Sequence, residues 1–250
     1  MPNLTPWVTM VILISTIPAD MCVEIIGGVQ VRNHSKPFMA LVTGRDSLCG
    51  GALIKPDWVL TAAHCHREEM YVTLGAYSRS KKEKEQQKFT VTHVVPHSKF
   101  SNKTAVNDFM LLKMDKPAQL NQYVKTLDLP REVKDVKVDS ECSVAGWGLT
   151  HPNTKEGSDK LMAVTVRVIS RKKCTKDYKK NKLRITGDML CAWDKNGERD
   201  TSKGDSGGPL VCEGKFVAVL SFGENRKPGV FSLLTKKTIK WIEKITGGNQ

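Results

Sequence analysis

Residues 204–212 read GDSGGPLVC, and the serine at position 206 decides between two folds. Gly204, Gly207 and Gly208 surround it and let another backbone or a substrate come close. The same G-x-S-x-G pattern marks the strained strand-to-helix turn that exposes a nucleophilic serine on an α/β sheet. In that fold an acid and then a histidine follow the serine along the chain. The histidines here are His34, His64, His66, His93, His97 and His151, and none follows Ser206. The α/β reading fails, and a base for Ser206 comes from upstream.

The rest of the chain agrees. Its apolar segments are short and close-set: FMALV, GALI, WVLTAA, YVTLGA, FTVTHVV, FMLLKM, CSVAGWG, MAVTVRVIS, MLCAW, PLVC, FVAVLSF and GVFSLL. Turn residues separate them at the intervals of an all-β barrel or sandwich. One segment breaks the pattern. Thr235 to Ile245 sets Ile239, Ile242 and Ile245 three residues apart among lysines, as an amphipathic helix does. The class is all-β with a C-terminal α-helix.

Among the histidines, His64 lies in VLTAAHC, an apolar run that buries and orients the ring beside a cysteine able to pin it. His66 is one step into a polar loop, His93 and His97 flank a β-like segment, and His34 and His151 read as loop surface. Asp108, in NDFMLLKM, is a carboxylate leading an apolar strand, a placement that costs energy unless the charge is paired. A buried Asp holds an imidazole in the tautomer whose other nitrogen can take a serine proton. His64, Asp108 and Ser206 fall in the His…Asp…Ser order of one of the unrelated folds that carry such a triad.

At 250 residues, 40% hydrophobic and 26% charged, the chain has ordinary globular composition. Residues 1–19 carry no Lys, Arg, Asp or Glu and include the apolar run WVTMVILISTI. That run suits the h-region of a signal peptide and is too short to span a bilayer. Secretory routing makes the cysteines read as disulfides. Cys22 ends the leader, or stays in the mature chain if cleavage falls earlier. Cys49, Cys65, Cys142, Cys174, Cys191 and Cys212 remain, and spacing alone leaves their pairing open. A zinc site from Cys49, His64, Cys65 and His66 is the competing reading, weakened because no C-x-x-C spacing occurs. The net charge is +13, with basic stretches at Lys81–Lys88, Arg171–Arg184 and Lys236–Lys244. Each alone reads as a solvated surface; together they predict attraction to polyanions, sulfated glycans or proteoglycan first in a secreted protein. Asn33-His34-Ser35 and Asn102-Lys103-Thr104 are candidate glycosylation sites.

IIGG, WVLTAAHC, NDFMLLK, VAGWG, GDSGGPLVC and KPGV, in that order over residues 25 to about 245, resemble the trypsin/chymotrypsin-type serine proteases. PFMALV, SFG and LLTKK make the chain most similar within that family to granzymes A and K. The resemblance implies two six-stranded antiparallel β-barrels with the active site between them. It implies a signal peptide at 1–22, an activation dipeptide at 23–24, and a protease domain at 25–250. Within the domain, one barrel would span about 25–128 and the other about 129–234, with the helix at about 235–246. It pairs Cys49 with Cys65, Cys142 with Cys212, and Cys174 with Cys191. It makes His64, Asp108 and Ser206 catalytic and places the oxyanion hole at the backbone N–H groups of Gly204 and Ser206. Removal of the dipeptide after Glu24 would free the Ile25 ammonium to pair with Asp205.

The substrate-binding residues it implies are Asp200, Thr201, Lys203, Ser221, Phe222, Gly223 and Gly229. Asp200 would form the pocket floor and favour a substrate Arg or Lys, since an unpaired buried carboxylate costs about 3–5 kcal/mol. The plainer reading is a loop charge paired with Arg199 or Lys203. Ser202 stands where the family commonly has a cysteine. Only Glu224, Asn225, Arg226 and Lys227 separate Gly223 from Pro228, so the loop carrying the usual partner is shortened and a cysteine at 202 would be a free thiol. Relatives with that deletion, of the chymase and granzyme B type, cleave after other residues. The pocket wall, lacking the bridge, would depend on packing. Ala76 replaces the acidic residue of calcium-binding members, so no metal and no cofactor are expected. Protein substrates, serpin-type inhibitors, a monomeric state and storage in granules or secretion follow from the same resemblance. The rival from another class is an inactive cationic relative that binds polyanions.

Overall fold

A computed structural model describes residues 29–131, 135–148, 157–179, 183–194, 204–224 and 227–247. Thirteen strands run through these residues: β1 (Val29–Gln30), β2 (Met39–Gly44), β3 (Ser47–Lys55), β4 (Trp58–Thr61), β5 (Tyr71–Leu74), β6 (Gln87–Pro96), β7 (Met110–Met114), β8 (Glu141–Gly146), β9 (Met162–Ile169), β10 (Met189–Trp193), β11 (Pro209–Cys212), β12 (Lys215–Phe222) and β13 (Gly229–Leu233). Strands β2–β7 close on themselves in the order β2-β3-β4-β7-β6-β5. The order β9-β10-β13-β12-β11-β8 closes a second antiparallel barrel through the β8–β9 pairing, and β1 adds to the outer side of β9. The two six-stranded barrels expected from the sequence are present, with the C-terminal helix.

Period-2 patterning explains the strands. In β9, Met162, Val164, Val166 and Val168 are buried while Ala163, Thr165, Arg167 and Ile169 are more open. β12 is apolar on both faces because both are covered. Its Val217, Ala218 and Leu220 join the core of the second barrel, whereas Phe216 and Val219 join that of the first.

The C-terminal helix α2 (Lys236–Thr246) begins at Thr235, whose hydroxyl accepts the Thr238 N–H, and ends at Gly247 with φ 84°. Ile239 and Ile242 are buried, and Ile242 lies in the cluster of the first barrel, the burial of one such side chain contributing about 2 kcal/mol. Lys55 of β3 donates to the Thr246 carbonyl at 3.1 Å, a cation on the negative end of the helix. The last helix is thus fastened to the barrel built from the start of the chain.

A second helix, α1 (Arg171–Asp177), occupies part of the stretch read from the sequence as basic surface. Ser170 caps it by accepting the Lys173 N–H, and Cys174, its one buried residue, is bonded to Cys191 of β10. With a single inward side chain the helix leaves no apolar periodicity to detect. The other disulfides join Cys49 to Cys65 and the paired strand residues Cys142 and Cys212.

Arg171 moors α1 from its first residue. It donates to the Met189 carbonyl at 2.7 Å and to both oxygens of Asp135 at 2.6 and 2.9 Å. That hydrogen-bonded guanidinium holds the Asp135 carboxyl below the usual carboxylate range. A depressed folded-state pKa stabilises the fold above the unfolded value of about 3.9, and the gain is lost as pH falls through the folded value. Asp135 is largely exposed, so water screens the pair to under ~1 kcal/mol. Asp135→Asn should therefore lower the unfolding temperature slightly at pH 7, and the gap to wild type should close toward about pH 2. Thermal unfolding across that range checks this; a gap independent of pH would assign Asp135 no electrostatic role.

Candidate active site

β4 ends in Thr61 and runs through Ala62 into a single 3-10 turn, Ala63–Cys65. Buried Ala63 and Cys65 anchor the turn, the latter through its bond to Cys49, and His64 between them keeps 30% of its side chain exposed. Its Nδ1 lies 2.7 Å from Asp108 Oδ2, and its backbone N–H donates to Oδ1 at 3.0 Å. Asp108 precedes β7 and is 1% exposed. Ser221 of β12 donates its hydroxyl to Oδ2 at 2.5 Å. Three donors from two barrels thus meet one buried carboxylate, as a buried charge requires. With Nδ1–H directed at Asp108, the lone pair of Nε2 is left to accept a proton.

Ser206 sits in a turn pressed against the first barrel. Its carbonyl accepts the Gly50 N–H at 2.8 Å, and Thr61 Oγ1 donates to the Gly50 carbonyl at 2.7 Å. Glycine is required along this seam. A Cβ on Gly207, at φ 81°, would lie 2.1 Å from Thr61 Oγ1 and 2.5 Å from the Gly50 carbonyl oxygen. One on Gly204, at φ 104°, would lie 2.9 Å from Gly148 Cα. The Gly207 and Gly208 N–H groups are bonded to the Leu220 and Asp205 carbonyls. The N–H groups of Gly204 and Ser206 have no acceptor among the described residues. Asp205 is 2% exposed, and its Oδ1 accepts the Gly148 N–H at 2.8 Å.

A cavity of about 400 Å³ opens between the barrels. His64, Asp108, Phe100, Asn102, Lys103 and Ala105 line it from the first; Ser206, Leu183, Leu220 and the segment from Ser221 to Glu224 line it from the second. It therefore gathers His64, Asp108 and Ser206 with three of the residues assigned to substrate binding, Ser221, Phe222 and Gly223. The fourth described one, Gly229, is buried at the start of β13 opposite Ala192. Asp200, Thr201, Ser202 and Lys203 lie outside the described residues, as do Glu24 and Ile25.

Two things escaped the sequence. The hydroxyl of Ser221 holds Asp108, a contact between segments far apart in the chain. Tyr178, fully buried just after α1, donates to the Pro228 carbonyl at 2.7 Å and packs edge-on against Phe222, ring centroids 5.5 Å apart. Tyr178 thus packs behind Phe222, which lines the cavity. Cys49, His64 and Cys65 do cluster, yet both sulfurs are spent in a disulfide and offer no thiolate to a zinc ion. Around Ala76, Glu83 accepts the Tyr77 and Ser78 N–H groups at 2.7 and 3.1 Å, closing the loop on itself.

Residues 25–242 match the trypsin family. The chain is 43% identical to granzyme A of Bos taurus over 91% of its own length and 90% of the relative's. It is 40% identical to granzyme B(G,H) of Mus musculus over 88% and 90% of the two chains. To mast cell protease 3 of Ovis aries it is 36% identical over 91% of each.

The seam is open to a controlled test. Gly214 shares the positive φ of Gly207, at 75°, but a Cβ there meets nothing within 4 Å. Gly214→Ala should cost about 1 kcal/mol, the strain alone, and Gly207→Ala at least about 2 kcal/mol more. Denaturant unfolding of both variants measures the difference; equal costs would mean that the barrels do not depend on this contact.

Proposed function

Because the chain belongs to the trypsin family of serine proteases, we propose that it is a secreted or granule-stored endopeptidase that cleaves after Arg or Lys through an acyl-enzyme. The observation that carries the reading is the buried Asp108 bonded to His64 Nδ1 at the edge of the cavity that Ser206 also lines. His64 Nε2 takes the Ser206 proton as Oγ attacks the scissile carbonyl, and the resulting imidazolium is stabilised by Asp108. The oxyanion forms against the Gly204 and Ser206 N–H groups, each such donor typically contributing about 10²–10³ in rate. His64 returns the proton to the leaving amine, and water then releases the acyl group by the same route in reverse. The Ile25 ammonium, freed by loss of Val23-Glu24, pairs with Asp205 and orders this turn. The buried site of Asp205 supports that role.

Specificity rests on Asp200 as a pocket floor between Gly223 and Gly229. A second reading, granzyme B- or chymase-like cleavage after other residues, is favoured by the short segment from Gly223 to Pro228 and by the 40% identity to granzyme B(G,H). Six cysteines joined within the chain leave none of those six for a link to a second copy, in keeping with a monomer. The charge of +13 suits binding to sulfated glycans or proteoglycan, and serpin-type inhibitors fit a protease of this kind.

Two outcomes are expected. A fluorophosphonate should label the processed chain at Ser206 and leave Ser206→Ala unlabelled; an unlabelled wild type would leave only the polyanion-binding reading. Asp200→Ser should lower kcat/KM for Arg and Lys substrates by at least ~10², the low end of the unpaired-charge penalty, while small apolar substrates change far less. A peptide library enriched in Phe, Leu or Asp before the scissile bond would instead give the specificity to the shortened wall.

A further inference from the structure

We infer that Asn102 carries an N-linked glycan rooted on the wall of the cleft, which restricts access of protein chains to the site while leaving small reagents unhindered. Asn102-Lys103-Thr104 is an acceptor sequence, and all three residues are exposed. Neither the Asn102 amide nor the Thr104 hydroxyl is engaged by another described residue. The three intrachain disulfides mark an oxidising, secretory route, where the modifying enzyme works. In the reaction Asn102 Nδ2 loses a proton and bonds to the anomeric carbon of an oligosaccharide, whose lipid-linked diphosphate leaves.

What gives the modification a consequence is its position. Asn102 and Lys103 line the cavity that holds His64, Asp108 and Ser206. Their loop is held tightly: Phe100 N–H donates to the His97 carbonyl at 2.8 Å, Ala105 N–H to the Ser101 carbonyl at 2.7 Å, and Ser101 N–H to the Val106 carbonyl at 3.1 Å. Asn107 Nδ2 adds a bond to the Lys99 carbonyl at 3.0 Å. The root of the glycan is therefore fixed in place, although its outer sugars are mobile. A bulky hydrated chain there excludes volume from the cleft mouth. An extended substrate must share that space; a reagent that reaches only Ser206 does not. The other acceptor sequence, Asn33-His34-Ser35, is also exposed at Asn33, but none of its residues lines the cavity, which makes it the control. Occupancy is independent of the proposed protease activity; the gating rests on it.

The full chain would be secreted from mammalian cells as wild type, Thr104→Ala and Ser35→Ala. Thr104→Ala abolishes the acceptor sequence and keeps Asn102 itself. Peptide mass spectrometry should find Asn102 glycosylated in wild type and bare in Thr104→Ala. After processing, Thr104→Ala should hydrolyse labelled casein with kcat/KM raised about threefold or more, at an unchanged rate of fluorophosphonate labelling. Ser35→Ala should match wild type in both assays. A bare Asn102 in the secreted wild type overturns the proposal. Equal casein hydrolysis by Thr104→Ala and wild type overturns the gating, as does a matching rise in Ser35→Ala. Absence of fluorophosphonate labelling would overturn the protease reading and the gating with it, while mass spectrometry would still decide the modification.

Discussion

A carboxylate sealed from water at Asp108 sets the conditions that the rest of the molecule meets. Such a charge is tolerable only when donors surround it. They come from three places: the backbone of the 3-10 turn, the ring of His64, and the hydroxyl of Ser221 on the other barrel. The turn is in position because β4 delivers it and the Cys49–Cys65 bond holds it. Ser221 is in position because β12 is packed on both faces. The seam of Gly50, Gly207 and Gly208 lets the barrels approach closely enough for all three to arrive together. Orientation of the imidazole is therefore a result of the whole packing, and no single neighbour supplies it.

Much of this was legible in the residues, for reasons that differ from part to part. Strands such as β9 declare themselves because alternate burial imposes alternate chemistry along the chain. Ser206 is marked by glycines that its tight surroundings require, and Asp108 by being a charge at the head of an apolar strand. The helix α1 is silent since a disulfide does the anchoring that an apolar stripe would otherwise do. Leu183 and Phe100 come to the cavity on loops, and nothing in a loop's composition records which other loop it faces. Ser221 illustrates a subtler limit. Resemblance assigned it to the substrate, and it does line the cavity, but its hydroxyl is committed to Asp108.

The cavity wall around Phe222 is held by packing. Tyr178 sits beside this part of the cavity, donating to the Pro228 carbonyl and packed edge-on against Phe222. A covalent link acts chiefly on the unfolded chain, whereas a buried aromatic acts only once the fold is formed. The wall is thus held by native contacts whose strength depends on the packing of everything around α1.

The arrangement of β12 and α2 has a further meaning for how the protein is made. Phe216, Val219, Leu234 and Ile242 fill the core of a barrel whose own strands end at Met114. A ribosome releases that barrel's sequence long before it supplies those side chains. The early half must then wait with apolar surface uncovered until those side chains arrive. Synthesis order and folding order are decoupled: the first barrel to be translated is completed by some of the last residues to emerge.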